Sequence, residues 1–296
     1  MDKNAKFLLE QISGLHSVPQ AGIFNIRENG KLIARSTDKD GIDIIIKKGT
    51  KNKSLHIPVL ITMGGINDLV YNDFYIEDDC DVLIVAGCGI HNNSKDDSSH
   101  NGIHSFHIGK NSKVKYVEKH FAFGKTQAKK TLNPVTNIVL GQNSYLEMET
   151  LQLGGVSYAD RKTNAELKAD AKLIIRENIL TEGKEFAKTD FFVNLNGKKS
   201  RVEVISRSVA KDNSYQEFNS NLTGNSECFG HVECDGILSG KAQIASTPKI
   251  FAKNPEAMLV HEAAIGKISE EQQNKLMSLG LTKEEAEEVI IKGFLM

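Results

Sequence analysis

The sequence predicts an all-β body over residues 22–260, preceded by a short helical arm (1–21) and followed by a helical subdomain (261–296). Three observations carry this reading. Brief β-type runs punctuated by Gly, Asn and Asp fill the middle of the chain, no helical periodicity lies between them, and capped amphipathic runs begin only after Gly266. A parallel β-helix explains the texture best: each coil contributes short strands, small or amidic residues make the corners, and stacking buries one long core. A β-sandwich fits nearly as well, because no strict repeat length can be read, and periodicity favours neither decisively.

In chain order, Ala5–Ile12 places apolar groups at helical spacing and ends near Gly14 and Pro19. The β-type runs include Gly41–Ile46, Leu55–Ile61, Cys80–Val85, Lys113–Val117, Thr136–Leu140, Ala171–Ile175, Phe191–Leu195 and Arg201–Ile205. Their connectors, such as Gly109–Ser112 and Gly141–Asn143, are turn formers. Two capping-box patterns then open helices: Ser269-Glu-Glu-Gln272, stopped at Gly280, and Thr282-Lys-Glu-Glu285. These helices serve as a lid on the open end of the β body, as a docking face, or as both.

Composition bounds the function. With 296 residues, 40% hydrophobic content and a formal net charge of −1, the chain can bury a sizeable core and does not announce nucleic acid as a partner. No apolar run approaches the roughly 20 residues that span a bilayer, and the first residues lead into no signal-like segment, so the expected place is the cytoplasm, with no membrane partner. Four cysteines (Cys80, Cys88, Cys228 and Cys234) are too few for a disulfide framework and are expected to be thiols or ligands. No phosphate-binding loop of the Gly-x-x-x-x-Gly-Lys-Ser/Thr type occurs, so any ATP must be handled by another chain.

Two stretches carry chemistry. From Cys234 to Glu262 the chain sets a thiol, an imidazole (His261) and a carboxylate far apart in sequence. All three are metal-binding side chains, but the spacing matches no local zinc or ferredoxin pattern. His231 and Glu233 stand close enough to Cys234 to be further ligands or to lower its pKa. The second stretch holds Cys88 between Gly87 and Gly89, which allows close approach and suits a thiolate that receives sulfur or binds a soft metal. Beyond it lie His91, His100, His104, His107 and His120, read mostly as exposed loop histidines beside Asp and Ser. A spacing of three puts His104 and His107 on different faces of a strand.

Ala86-Gly-Cys-Gly-Ile-His-Asn92, Ile205-Ser-Arg-Ser-Val209, Glu233-Cys-Asp235, Val260-His-Glu-Ala-Ala-Ile-Gly266, Leu279-Gly-Leu-Thr-Lys-Glu-Glu-Ala286 and Ile290-Ile-Lys-Gly-Phe294 resemble the SufB/SufD family of the SUF iron-sulfur cluster assembly system. The likeness runs from about Gly22 to the end and is most specific in roughly the last 70 residues; the chain looks like the short SufB-like form of minimal SUF-type systems. The resemblance implies a right-handed parallel β-helix with terminal helices and a SufC-like ABC ATPase docked on the C-terminal helices. It also implies a second SufB/SufD-like subunit, expected to give a homodimer, together with a sulfur donor and acceptor apoproteins. By resemblance, Cys234 matches the cysteine that ligates a transient cluster, Glu262 is a partner ligand with His261 beside it, and Cys88 is where sulfur enters. His261-Glu262 sides with SufB, since SufD-like chains tend to show His-Gly. This chain departs from SufB in having Lys119-His120-Phe121 for Gln-Asn-Trp along the presumed internal sulfur route, and a longer, histidine-rich stretch after Cys88. Two other classes compete: a structural or binding β-solenoid without metal, and a β-helix carbohydrate-active enzyme using acids such as Asp96, Asp97, Glu147 and Glu149.

Overall fold

Hydrogen-bonding demands drive the middle of this chain to a solenoid, because short strands with one buried face and one solvated face must find partners on both edges. The computed structural model describes residues 32–36 and 41–295 apart from 125; the helical arm expected over 1–21 lies outside them. One sheet holds β1 (Leu32–Ser36), β2 (Gly41–Ile46), β4 (Asn67–Ile76), β6 (Ser98–Ile108), β8 (Lys130–Leu132), β9 (Val135–Leu140), β11 (Tyr158–Leu167), β13 (Phe186–Leu195), β15 (Tyr215–Gly224) and β17 (Gln243–Ala252). The facing sheet holds β3 (Lys51–Ile61), β5 (Asp81–His91), β7 (Lys113–Phe123), β10 (Tyr145–Gln152), β12 (Lys172–Thr181), β14 (Ser200–Ala210), β16 (Cys228–Leu238) and β18 (Ala257–Lys267).

The chain alternates between the sheets, and the strands pair in parallel except for antiparallel β1–β2. That pattern is a β-solenoid of about 8 turns, which excludes the sandwich. Asparagines hydrogen-bonded between neighbouring coils are 27, 29 or 32 residues apart, so coil length varies and no fixed repeat shows in the sequence.

The corners follow from backbone sterics. Asp79, Asn111, Asn143, Asp170 and Lys199 turn at φ of 60, 55, 54, 59 and 60°. Asn and Asp tolerate this left-handed region better than most residues. Their side chains add a ladder, Asn143 Nδ2 donating to Asn111 Oδ1 at 2.9 Å and Asn111 Nδ2 to Asp79 Oδ1 at 3.1 Å. Replacing Asn143 by valine is expected to cost about 1–2 kcal/mol, from a β-branched residue forced to positive φ. Glycine there should cost less, and urea unfolding midpoints of the two variants check the order.

Inside, Phe74 stacks on Phe106 at 4.4 Å and Tyr116 meets Phe106 edge-on at 4.8 Å. They belong to the larger apolar cluster, which runs from Ile44 to Cys234; a smaller one gathers Cys88, Ile90, Ala122, Ala159, Ile179 and neighbours. A polar line separates the two.

The last strand runs through Lys267, so residues 261–267 continue the sheet and the change to helix falls later than 261. Helix α1 (Glu270–Ser278) starts after Ser269, whose side chain makes no cap bond, so the first capping box does not form. Helix α2 (Lys283–Phe294) forms the full box between Thr282 and Glu285 and buries Ala286 and Ile291. Ser239 donates to Glu287 and Arg207 to the Phe294 carbonyl, tying α2 to the solenoid; α1 buries none of its residues.

Candidate functional site in the solenoid core

In-register parallel pairing stacks equivalent positions into columns along the solenoid. One inward column on the second sheet reads Ala86, Glu118, Thr150, Glu177, Ser206, Cys234 and Ala263. The adjacent column begins Cys88, His120, Gln152. Cys88 on β5 and Cys234 on β16 are therefore five strand steps apart, about 24 Å at the usual inter-strand spacing. The groups between them are sealed, with Glu118 and His120 1% exposed and Glu177 and Ser206 fully buried.

Buried charge must be paired, and here it is. Arg161, projecting from β11 on the facing sheet, donates to Glu177 Oε1 at 2.9 Å, to Gln152 Oε1 at 3.1 Å and to His120 Nδ1 at 3.1 Å. Glu177 also accepts from Thr189 at 3.0 Å and from Ser206 at 3.2 Å. Because an arginine only donates, His120 Nδ1 is an acceptor and its proton sits on Nε2, 3.3 Å from Glu118 Oε1. Tyr116 donates to the same oxygen at 3.0 Å. Burial pushes the Glu118 pKa up, but His120, His104 and Arg161 outweigh it and hold the carboxyl below the usual carboxylate range. The metal-binding atoms of Cys88, Glu118 and His120 all lie within 4.8 Å of one another. Burial, then the charges of Glu118 and Asp68, push the Cys88 thiol well up.

At the other end, Cys234 points inward and is fully buried. Burial raises its pKa to about 11, opposed by the Ser246 hydroxyl and reinforced by Glu177 and Asp235. His261 pairs in register with inward-facing Val232, two residues before Cys234, so it lies diagonal to the thiol on the same face, and its Nε2 is buried without a partner. Burial lowers its pKa. Glu262 pairs with Glu233 on the outer face, where His231 Nε2 meets its carboxylate at 2.5 Å. One chain thus brings Cys234 and His261 to the same face and sets Glu262 on the opposite one. His231 and Glu233 also face outward, so the expectation that they lower the Cys234 pKa is corrected: the thiol is raised.

The histidines after Cys88 are corrected too. His100 and His104 are buried on β6 and His120 on β7, while His91 is half-buried and His107 exposed and stacked on Tyr75. His104 and His107 do fall on different faces. The overlooked signal was period two, His100-x-Gly102-x-His104 and Glu118-x-His120, which puts each set on one face of a strand. Arg161, Glu177, Gln152, Asp68 and Asn72 were also missed, since each is an ordinary polar residue until a coil stacks it over the others. Glu147 and Glu149 face outward and engage Tyr145, Arg176 and Lys115, so they form no acidic groove with Asp96 and Asp97.

Fold and core together define a parallel β-solenoid scaffold whose interior is threaded with polar groups between two thiols. The family model described as SUF system FeS cluster assembly, SufBD core domain, matches residues 77–294. The chain is 28% identical over 284 residues to an iron-sulfur cluster assembly SufBD family protein of Methanocaldococcus jannaschii, covering 94% of this chain and 89% of that one. To a SufBD family protein of Archaeoglobus fulgidus it is 27% identical, covering 91% and 73%. To one of Pyrococcus horikoshii it is 32% identical, covering 65% and 68%. The chain belongs to the SufBD family of the SUF iron-sulfur cluster assembly system. No helix among the described residues is long and apolar enough to cross a membrane.

Proposed function

We propose that this chain is the scaffold on which a nascent iron-sulfur cluster is built, with Cys234, His261 and Glu262 as ligands and Cys88 as the point where sulfur enters. The observation that carries the reading is the sealed polar column between two apolar clusters, in register from Glu118 to Cys234. Replacing buried ions by hydrophobic residues of similar volume is often neutral or stabilising, so stability alone does not account for them. Lys119-His120-Phe121 stands where SufB has Gln-Asn-Trp, and His120 joins Gln152, Arg161 and Glu177 in this line.

The donor set fits a transient cargo. Thiolates hold iron firmly, whereas imidazole and carboxylate leave exchangeable positions, and a scaffold must let its product go. Because Glu262 faces away from Cys234, the three ligands gather only when β16 and β18 shift or when a second subunit adds its own strand. The C-terminal end of the solenoid supports such a subunit. Strands β17 and β18 are the sheet edges there, and Phe251 on β17 and Met258 on β18 are 53% and 60% exposed. Helix α1, which buries nothing, and Leu279, 74% exposed, supply a face for a partner ABC-type ATPase, whose hydrolysis moves the pair and uncovers Cys234.

Anaerobic reconstitution with iron and sulfide tests the proposal. The wild-type protein should develop a cluster chromophore, and Cys234→Ala should lose at least about nine-tenths of it. Cys88→Ala should keep the chromophore when sulfide is supplied in solution and lose it when sulfur comes only from a persulfide-carrying donor protein. A colourless wild type, or an unimpaired Cys234→Ala, sinks the reading and favours a metal-free solenoid.

A further inference from the structure

We infer that His100, His104, Glu118 and Cys88 form a buried site for one divalent first-row transition-metal ion, at the opposite end of the polar line from Cys234. Strand β6 turns His100, Gly102 and His104 inward, and β5 and β7 on the facing sheet bring Cys88 and Glu118 to the same region. All four side chains are at most 4% exposed.

Four features of the geometry point to a cation. First, the Nε2 atoms of His100 and His104 are both buried and have no hydrogen-bond partner, an arrangement that buried polar atoms in proteins avoid unless something is bound there. Second, these rings are held from behind. His100 pairs in register with Asp68, whose carboxylate lies 2.6 Å from Nδ1. A carboxylate accepts, so the proton is on Nδ1 and the Nε2 lone pair points into the core, the tautomer a metal requires. His104 pairs in register with Asn72, whose amide nitrogen stands 3.4 Å from its Nδ1; ligation through Nε2 requires this amide to turn so that its oxygen accepts from Nδ1–H, a turn open to an amide but not to an arginine. Third, residue 102 is glycine. A Cβ there would stand 2.8 Å from His104 Nε2 and 3.3 Å from His100 Nε2, so its absence leaves open the space beside both nitrogens.

Fourth, the remaining donors lie close by, one pair at the spacing of a formed site and the other within 4.8 Å. In a tetrahedral site with bonds of about 2.0–2.3 Å, neighbouring ligand atoms stand about 3.3–3.8 Å apart. Glu118 Oε1 is 3.8 Å from His104 Nε2, and Cys88 Sγ is within 4.8 Å of the Glu118 carboxylate. His120 is as close, but the Arg161 donor on its Nδ1 leaves the Nε2 proton in place, so His120 orients Glu118 and does not ligate. A thiolate with two imidazoles and one carboxylate selects Fe2+, Co2+ or Zn2+ over Mg2+ and Ca2+, which take oxygen donors. This site shares only Cys88 with the cluster-assembly reading: the ion binds here whether or not a cluster forms at Cys234.

Metal-free protein titrated anaerobically with Co2+ tests it. One equivalent should bring a thiolate-to-cobalt charge-transfer band and the visible bands of a tetrahedral ion. Cys88→Ser should remove the charge-transfer band, and His100→Ala with His104→Ala should abolish the visible bands. Asp68→Asn, which removes only the carboxylate behind His100, should weaken binding roughly 10- to 100-fold. Gly102→Ala should block binding while leaving every ligand in place. His107→Ala, on the outer face of the same strand, should bind like wild type. Circular dichroism confirms that each variant is folded. The inference is overturned if folded wild type gives no such spectrum, if the bands survive loss of both inner histidines, or if His107→Ala removes them. Failure here leaves the Cys234 chromophore untouched, so the two readings fall separately.

Discussion

Replacing Glu177 by alanine is expected to cost about 3–5 kcal/mol, because it strands the Arg161 guanidinium in a core it cannot leave. Glu177 is fully buried and Arg161 3% exposed, and their 2.9 Å contact is the centre of a set that includes Gln152, His120, Thr189 and Ser206. Removing the carboxylate takes away the ion pair and also the acceptor for two hydroxyls, each of which is then buried without a partner. Domains are typically stable by about 5–15 kcal/mol, so the loss is a large part of the whole. Glu177→Gln, which keeps the shape and one acceptor, should fall between. The double change Arg161→Met with Glu177→Met should be less harmful than Glu177→Ala, since it leaves no unpaired charge. Urea unfolding midpoints measure the order, and hydrogen exchange at β11 and β12 should show the damage centred on the middle coils, because a solenoid transmits stability mainly to its neighbours. A Glu177→Ala protein within about 1 kcal/mol of wild type contradicts the idea that this charge pair is sealed.

The same polar groups explain what could and could not be read from the chain. Runs such as Gly41–Ile46 and Phe191–Leu195 stood out because their inward positions are apolar, and both are strands. Strand β5 runs through His91 and β14 through Ala210, well beyond the stretches Cys80–Val85 and Arg201–Ile205 that the pattern marks. The extra length carries Cys88, or Ser206 and Ser208, on the inner face, where alternation of polar and apolar residues fails as a signal. Strand β6 went unmarked for the same reason: His100, Gly102 and His104 occupy positions that an ordinary strand fills with valine or isoleucine. Read as a loop, these histidines belonged to solvent; on a strand of period two they belong to the core. The pairing of Glu118 with Arg161, or Asp68 with His100, depends on which coil lands on which, and coils of 27 to 32 residues leave no constant offset to extrapolate. Cys234, His261 and Glu262 were legible as residues through family likeness. Their faces were not, because neighbouring residues on a strand point opposite ways and only the register reveals that His261 shares the inner side with Cys234.

In the isolated chain, Cys234 is expected to react very slowly with a small alkylating reagent at neutral pH, and ATP hydrolysis by a partner ATPase is expected to speed that reaction by about 100-fold or more. The thiolate is the nucleophile, and burial moves the Cys234 pKa from 9.0 to about 11, so the reactive fraction at neutral pH is about a hundredth of that of an ordinary thiol. The direction is fixed by the sign of the shift. A folded-state pKa above the unfolded value stabilises the fold below about pH 9, and that contribution is lost as the pH rises through about 11. Reactivity of the isolated chain should therefore climb about tenfold per pH unit and level off only near pH 11, and the pH of that plateau reports how strongly the core disfavours the thiolate. The proposed movement of β17 and β18 would return the thiol toward its ordinary pKa and remove the steric block, and both effects raise the rate. Mass spectrometry resolves the four cysteines separately. Cys88, held in the smaller apolar cluster five strand steps from Cys234, should not accelerate with ATP, whereas Cys234 should. A non-hydrolysable nucleotide in place of ATP should leave Cys234 slow if hydrolysis itself drives the opening. Equal acceleration of Cys88 and Cys234 points to general loosening of the solenoid, and no acceleration of either removes the link between nucleotide hydrolysis and the buried ligand.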